Sequence, residues 1–112
     1  MSGTVTDCGY VTCSYYLTRS QVRWLYKNIN ASLGAGIGIS AAICGAMAVI
    51  GGPLAIACVA YVAIWGGRLM DAVNQAKERN ACVRIRTVAN DNFETLVITG
   101  IYVDNSGFCH DS

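Results

Sequence analysis

The stretch GAGIGISAAICGAMAVIGGPLAIACVAYVAIWGG, residues 34–67, contains no charged side chain and decides how the chain folds. Because it is too long for one strand, it predicts two helices, at residues 35–50 and 53–79. Two glycines supply the turn between them. A proline opens the second helix, where its missing N–H group is not needed. Two apolar helices joined by so short a turn are expected to fold back antiparallel as a helical hairpin.

The flanking segments predict one further helix and a small sheet. Thr18 and Gln21 match a capping box, so we expect an amphipathic helix to begin at Thr18. Residues 3–16 are rich in Val, Thr and Tyr and predict one or two short strands. From Cys82 onward, CVRIRTV alternates apolar and polar residues, and FETLVITGIYV follows after a turn at ANDN, which predicts a β-hairpin. The predicted fold class is α+β: a central apolar helical hairpin, one amphipathic helix and a small, disulfide-tied antiparallel sheet.

Length and composition limit the class of protein. The chain has 112 residues, and we expect one disulfide-rich domain that covers residues 1–112. Apolar types make up 54% of the chain and charged types only 13%, so the chain has ample apolar surface to form a folded core. The net charge of +1 at pH 7 provides no general attraction to nucleic acid, and no nucleic-acid partner is expected.

Six cysteines in so short a chain are typical of proteins from an oxidising compartment, and we expect a secreted protein with all six oxidised. The N-terminal MSGTVTD lacks the basic and apolar segments of a signal peptide, so we expect the sequence of a mature, processed chain. Cys44 and Cys58 fall nearly opposite each other in an antiparallel helical hairpin. A bridge between these two is the favoured pair.

The other four cysteines are expected to tie the N-terminal strand to the C-terminal β-hairpin. The preferred pairs are Cys13–Cys82 and Cys8–Cys109. A competing interpretation is a metal site formed by Cys8, Cys13, Cys109 and His110. Their spacing matches no zinc pattern, so we expect neither a metal nor another cofactor.

The residue types offer little for catalysis. The chain has one histidine, His110, close to its C-terminal end. A cysteine nucleophile needs a free thiol beside a base, and the expected disulfides consume the thiols. No pair of carboxylates falls in a predicted apolar pocket. We therefore expect the protein not to be an enzyme.

Several features of the hairpin favour contact with a membrane. Small residues recur every four positions in its first half, at Gly34, Gly38, Ala42 and Ala46, a spacing that lets helices approach closely. Each half is close to the shortest bilayer span, about 17 residues. Basic and tryptophan side chains flank the hairpin, as they do at membrane interfaces. The predicted membrane contacts are Arg19, Arg23, Lys27, Trp24, Trp65 and Ala48.

The two halves of the hairpin also resemble an element of a known family. GAGIGISAAICGAMAVI, residues 34–50, and LAIACVAYVAIW, residues 54–65, joined by Gly51-Gly52-Pro53, are similar to the hydrophobic helical hairpin of pore-forming bacteriocins of the colicin type. In that family an uncharged pair of short helices lies buried in the water-soluble form. The resemblance implies a membrane-active protein that stores an insertable hairpin in its core.

The sequence thus predicts a secreted toxin or antimicrobial protein that acts on target-cell membranes through this hairpin. A basic stripe of Arg19, Arg23 and Lys27 would draw it to an anionic membrane surface, its expected partner, and a receptor or an immunity protein is a further candidate. The alternative is a soluble secreted binding module, such as an inhibitor, an effector or an assembly subunit. In that case the hairpin is only a core, and the exposed sheet or loops bind the partner.

Overall fold

The computed structural model describes residues 5–50, 53–89 and 96–110, without the side chains of residues 53–64, 89, 96 and 97. The elements are β1 Val5–Cys8, β2 Thr12–Leu17, α1 Arg19–Gly34, α2 Ile39–Ile50, α3 Pro53–Arg79, β3 Cys82–Ala89 and β4 Leu96–Asp104. Three helices and an antiparallel sheet confirm the predicted α+β class. The predicted turns at residues 51–52 and within 90–95 lie outside the described residues.

Helix α1 begins where the capping box predicts. The Thr18 hydroxyl oxygen accepts a hydrogen bond from the Gln21 backbone N–H at 3.2 Å. In return, the Gln21 side-chain oxygen accepts one from the Thr18 N–H at 3.0 Å. Both residues are buried, so this pair satisfies two donors of the first turn that have no partner within the helix. The apolar stripe Val22, Leu25 and Ile29 is buried and fixes which face of α1 meets the core.

Helix α3 begins at the predicted proline and ends in a Schellman motif. Asn80 has a positive φ of 52°, a conformation that Asn tolerates better than most residues. The Ala81 N–H donates to the Ala76 carbonyl at 2.8 Å, and the Asn80 N–H donates to the Lys77 carbonyl at 3.4 Å. The predicted stop at Asn80 is confirmed. The central position of the helical hairpin stays a prediction, because the side chains of the first half of α3 are outside the described set.

The four strands form one antiparallel sheet in the order β1-β2-β3-β4. Its two middle strands, β2 and β3, are separated in the chain by all three helices. In β3 the predicted alternation is confirmed, because Val83, Ile85 and Thr87 are buried whereas Arg86 is exposed. The helices cover one face of the sheet. The buried apolar side chains of that face are Tyr15, Leu17, Val83, Ile85 and Ile101.

The predicted pairs Cys8–Cys109 and Cys13–Cys82 are wrong. The structure has Cys8–Cys13 and Cys82–Cys109 instead. Cys8 lies directly across from Cys13 in the β1–β2 register, with their Cα atoms 4.1 Å apart. Cys13 pairs in register with Thr87, near the opposite end of β3 from Cys82, so those two cysteines cannot meet. Hydrogen bonds between β2 and β3 already hold the N-terminal strand to the C-terminal β-hairpin.

Cys44 is also disulfide-bonded, and no free cysteine occurs among the described residues. Its predicted partner, Cys58, lies outside the set of described side chains. Disulfides of this kind indicate an oxidising, extracellular-like environment. In the described part of the chain, no helix has the length and apolarity that a membrane crossing requires.

The disulfide pairing predicts a simple tryptic map. Digestion of the denatured, unreduced protein should leave Cys8 and Cys13 together in peptide 1–19. Peptide 80–84 should remain covalently linked to peptide 87–112 through Cys82 and Cys109. Mass spectrometry before and after reduction detects the bridge within peptide 1–19 and the link between peptides 80–84 and 87–112. A digest in which peptide 1–19 is cross-linked to either C-terminal peptide would contradict the pairing described here.

Candidate functional site

Helix α2 is apolar on both of its sides, but only one side is covered. It carries no charged residue, and its covered side consists of Ala42, Ile43, Ala46, Met47 and Ile50. The opposite side remains at the surface, where Ile37, just before the helix, is 46% exposed and Val49 is 52% exposed. We define the α2 outer face as Ile37, Ala41, Gly45, Ala48 and Val49.

A groove of about 250 Å³ separates the α2 outer face from α1. Trp24 forms part of its wall on the α1 side and is itself half-buried against the core. On the α2 side the small residues Ala41 and Gly45 form its floor, and a Cβ atom placed on Gly45 would contact nothing within 4 Å. The groove is therefore open and mainly apolar, with Asn28 and Ser32 as polar positions of its wall.

Three of the predicted membrane contacts, Trp24, Ala48 and Trp65, differ in their surroundings. Trp24 lies at the groove, and Ala48 is exposed on the α2 outer face. Trp65, on α3, is half-buried and packs against the core. The sequence analysis identified the hairpin as a candidate surface but did not identify which of its sides would be exposed.

The basic stripe on α1 divides into residues with different roles. The Arg19 Nε donates to the Asn80 carbonyl at 2.7 Å, and its Nη2 donates to Asn105 Oδ1 at 2.7 Å. Arg19 therefore ties the start of α1 to the ends of α3 and β4, a structural role that the sequence analysis missed. Arg23 is exposed and makes only a longer contact of 3.4 Å, from Nη1 to Asn80 Oδ1. Lys27 is exposed on the next turn.

The alternative interpretation was a metal site formed by Cys8, Cys13, Cys109 and His110. This site lacks its thiolate ligands in the structure. Cys8 and Cys13 are bonded to each other and Cys109 is bonded to Cys82, so none of them provides a thiolate. Across the described ranges no three His, Cys, Asp or Glu residues are grouped as metal ligands would be.

Burial raises the pKa of the Tyr15 hydroxyl above its ordinary value of 10.0, which keeps it neutral at physiological pH. The expectation that the protein is not an enzyme stays a prediction.

The division of the basic stripe predicts different effects on stability. Replacing Arg19 with Ala removes two charge-assisted hydrogen bonds and should lower the free energy of unfolding by about 1.5–3 kcal/mol. Replacing Lys27 with Ala, the matched control on the same helix, should change it by less than about 0.5 kcal/mol. Urea denaturation followed by circular dichroism measures both. Equal losses for the two variants would show that the Arg19 contacts do not stabilise the fold.

No protein-family model matches the chain, and no curated protein or solved structure matches it with significance. The resemblance of the hairpin to that of colicin-type bacteriocins therefore stays a prediction based on residues 34–65.

Proposed function

We propose that this protein is a secreted toxin or antimicrobial protein that acts on a target-cell membrane through its helical hairpin. The observation that carries the proposal is the α2 outer face. Apolar residues on both sides of an uncharged helix give it no polar side to present to water. An exposed apolar surface of this kind is typical of a site that contacts a membrane or another protein.

Docking on the membrane is the first step of the proposed mechanism. The α2 outer face presents apolar and small side chains at the surface, with Trp24 beside them across the groove. A tryptophan favours the headgroup region of a bilayer because its ring is apolar while its N–H needs a polar partner. Arg23 and Lys27 lie on the same helix as Trp24 and are exposed, so they are available to anionic headgroups. Each basic residue near such a surface contributes about 1 kcal/mol.

Insertion of the hairpin is the second step. The disulfide pattern supports it, because neither of the two bridges described in full joins α2 to the sheet or to α1. Cys8–Cys13 lies within the first β-hairpin, and Cys82–Cys109 ties the start of β3 to the segment after β4. Helix α2 packs against α1 and α3. Packing contacts can be exchanged for contacts with lipid without breaking a covalent bond.

A second candidate function is a soluble binding module that docks a partner protein, such as a receptor or an immunity protein. The groove beside Trp24 favours this alternative, because a volume of about 250 Å³ accommodates one or two side chains of a partner. In that case α2 stays in place, and its outer face is the centre of a protein interface. The vesicle experiments below distinguish the two functions, since they contain no partner protein.

The α2 outer face predicts which single charge abolishes membrane activity. Ala48→Asp places a carboxylate on this exposed face, and a carboxylate within a bilayer costs about 2.5–3.5 kcal/mol. We expect the variant to fold and to release dye from phosphatidylglycerol–phosphatidylcholine vesicles at least about tenfold more slowly than the wild type. Gln75→Glu is the matched control, because Gln75 is an exposed residue outside the uncharged stretch 34–67 and gains the same negative charge. It should leave the release rate unchanged.

Two outcomes would contradict the membrane function. One is a wild-type protein that releases dye from no vesicle. The other is an Ala48→Asp protein as active as the wild type, which would show that the hairpin is not the membrane-active element.

The charge of α1 predicts a dependence on lipid type. Arg23→Glu with Lys27→Glu reverses two exposed charges and leaves the Arg19 contacts in place. We expect this double variant to lose binding to vesicles rich in phosphatidylglycerol by at least about tenfold, and to bind pure phosphatidylcholine as the wild type does. Co-sedimentation with vesicles measures both. Unchanged binding to the anionic vesicles would show that Arg23 and Lys27 are ordinary solvated residues that do not contribute to lipid binding.

A further inference from the structure

The sheet has a second face, which points away from the helices. The core face contains the row Tyr15, Ile85 and Ile101, so the residues next to these in each strand point to the other side. We call this other side the sheet outer face, and two of its cross-strand rows concern the site. They are Val5, Tyr16, Arg84 and Tyr102, and Asp7, Ser14, Arg86 and Gly100.

One aromatic side chain of this face lies over a glycine. A Cβ atom on Gly100 would overlap the Tyr102 ring, so the ring lies directly over the Gly100 backbone. Gly100 is buried beneath it, yet Tyr102 itself remains 42% exposed. The absence of a side chain at residue 100 is what lets the ring lie along the strand. Tyr102 is therefore supported by the strand and accessible to solvent, and we call it the platform of this face.

Two guanidinium groups lie beside this platform on the neighbouring strand. Arg84 pairs in register with Tyr102, and Arg86 pairs with Gly100. Arg84 is held in place, because its Nε donates to the Ser14 hydroxyl oxygen at 3.1 Å and its guanidinium lies 5.9 Å from the centre of the Tyr16 ring. The Arg86 side chain is exposed and has no hydrogen-bond or ion-pair partner among the described residues.

A stacked pair of aromatic rings extends the surface. Phe108, from the segment after β4, stacks on Tyr16 with ring centres 5.1 Å apart and planes 18° apart. Phe108 is 45% exposed, so its outer side also faces solvent. The Cys82–Cys109 disulfide fixes the segment that carries it. The sheet outer face thus combines two exposed aromatic rings with two guanidinium groups on a rigid surface.

We propose that the sheet outer face binds an acidic saccharide, with Tyr102 as the stacking platform and Arg86 as the carboxylate-binding group. The C–H face of a pyranose ring is apolar and packs on a flat aromatic ring. The carboxylate of a uronic acid accepts paired hydrogen bonds from a guanidinium group. An open surface, rather than an enclosed pocket, suits one or two residues of a long sugar chain.

Charge favours a saccharide over a nucleic acid. Nucleic-acid binding draws most of its affinity from many phosphate contacts made by an extended basic surface. The sheet outer face has two basic residues and also carries Asp7 and Asp104, and the whole chain has a net charge of only +1. Two guanidinium groups are sufficient to bind one or two sugar residues that each carry a single carboxylate.

The test uses oligogalacturonic acid and its methyl ester, which differ only in the charge of the carboxyl groups. Titration into the isotope-labelled, oxidised protein, followed by NMR, should shift the amide signals of β3 and β4 with the acid and much less with the ester. Arg86→Gln should weaken binding of the acid about tenfold. Lys77→Gln is the matched control, because Lys77 is an exposed basic residue of α3 that lies over the Tyr26 ring of α1, and it should bind as the wild type does.

The contribution of the Tyr102 ring to binding is tested separately from that of the Arg86 charge. Tyr102→Phe keeps the ring and should bind the acid within about twofold of the wild type, whereas Tyr102→Ala should weaken binding about tenfold. Gly100→Ala should have the same effect as Tyr102→Ala, because the added methyl group displaces the ring. If Gly100→Ala does not fold, the two Tyr102 variants decide the point.

Three outcomes would overturn the proposal. They are equal binding of the acid and the ester, no shift of β3 and β4 signals with either, and tighter binding of single-stranded oligouridylate than of the acid. The vesicles that test the membrane function contain no saccharide, so either proposal can fail without the other.

Discussion

The pairing of β2 with β3 is the contact on which the rest of the fold depends. These strands are separated by the whole helical part of the chain, and they pair antiparallel from Thr12–Val88 to Leu17–Val83. Closing so long a loop has an entropic cost, but that cost grows only slowly with loop length. The pairing places Tyr15 beside Ile85 and Tyr16 beside Arg84, which defines the core face and the sheet outer face together. The Thr87 hydroxyl, buried on the core face, donates to the Cys13 carbonyl at 3.0 Å and strengthens the same junction.

Contacts at one end of the molecule complete this closure. Arg19 joins α1 to the Asn80 carbonyl and the Asn105 side chain, and its backbone N–H donates to the His110 carbonyl at 2.9 Å. The Cys82–Cys109 disulfide lies in the same region. The beginning of α1, the end of α3 and the chain after β4 are therefore held at one point. None of the hydrogen bonds and the disulfide named in this network involves α2.

The two proposed surfaces lie on different layers of the molecule. The α2 outer face belongs to the helical layer, and the sheet outer face lies on the side of the sheet away from the helices. A protein that reaches a cell must meet the carbohydrate of the surface before the lipid beneath it. The proposed saccharide site and the proposed membrane contact therefore share no residues.

The sequence by itself determined the class of the fold, the start of α1 and both ends of α3, whereas the helix predicted from residue 35 begins only at Ile39, after Gly36 with its positive φ of 88°. The Thr18–Gln21 capping box, the proline that opens α3 and the stop at Asn80 depend on residues within a few positions of each other. The alternation from Val83 to Thr87 likewise shows which side of β3 is buried, because side chains of a strand alternate between its faces.

Only the tertiary structure decided the disulfide pairs, the role of Arg19, the exposed side of α2 and the stacking of Tyr102 on Gly100. Each of these depends on strand order and register, or on which elements pack side by side. Cys13 meets Cys8 rather than Cys82 because β1 folds back on β2 in that register. An apolar helix such as α2 has no polar side by which its sequence could show which face remains exposed.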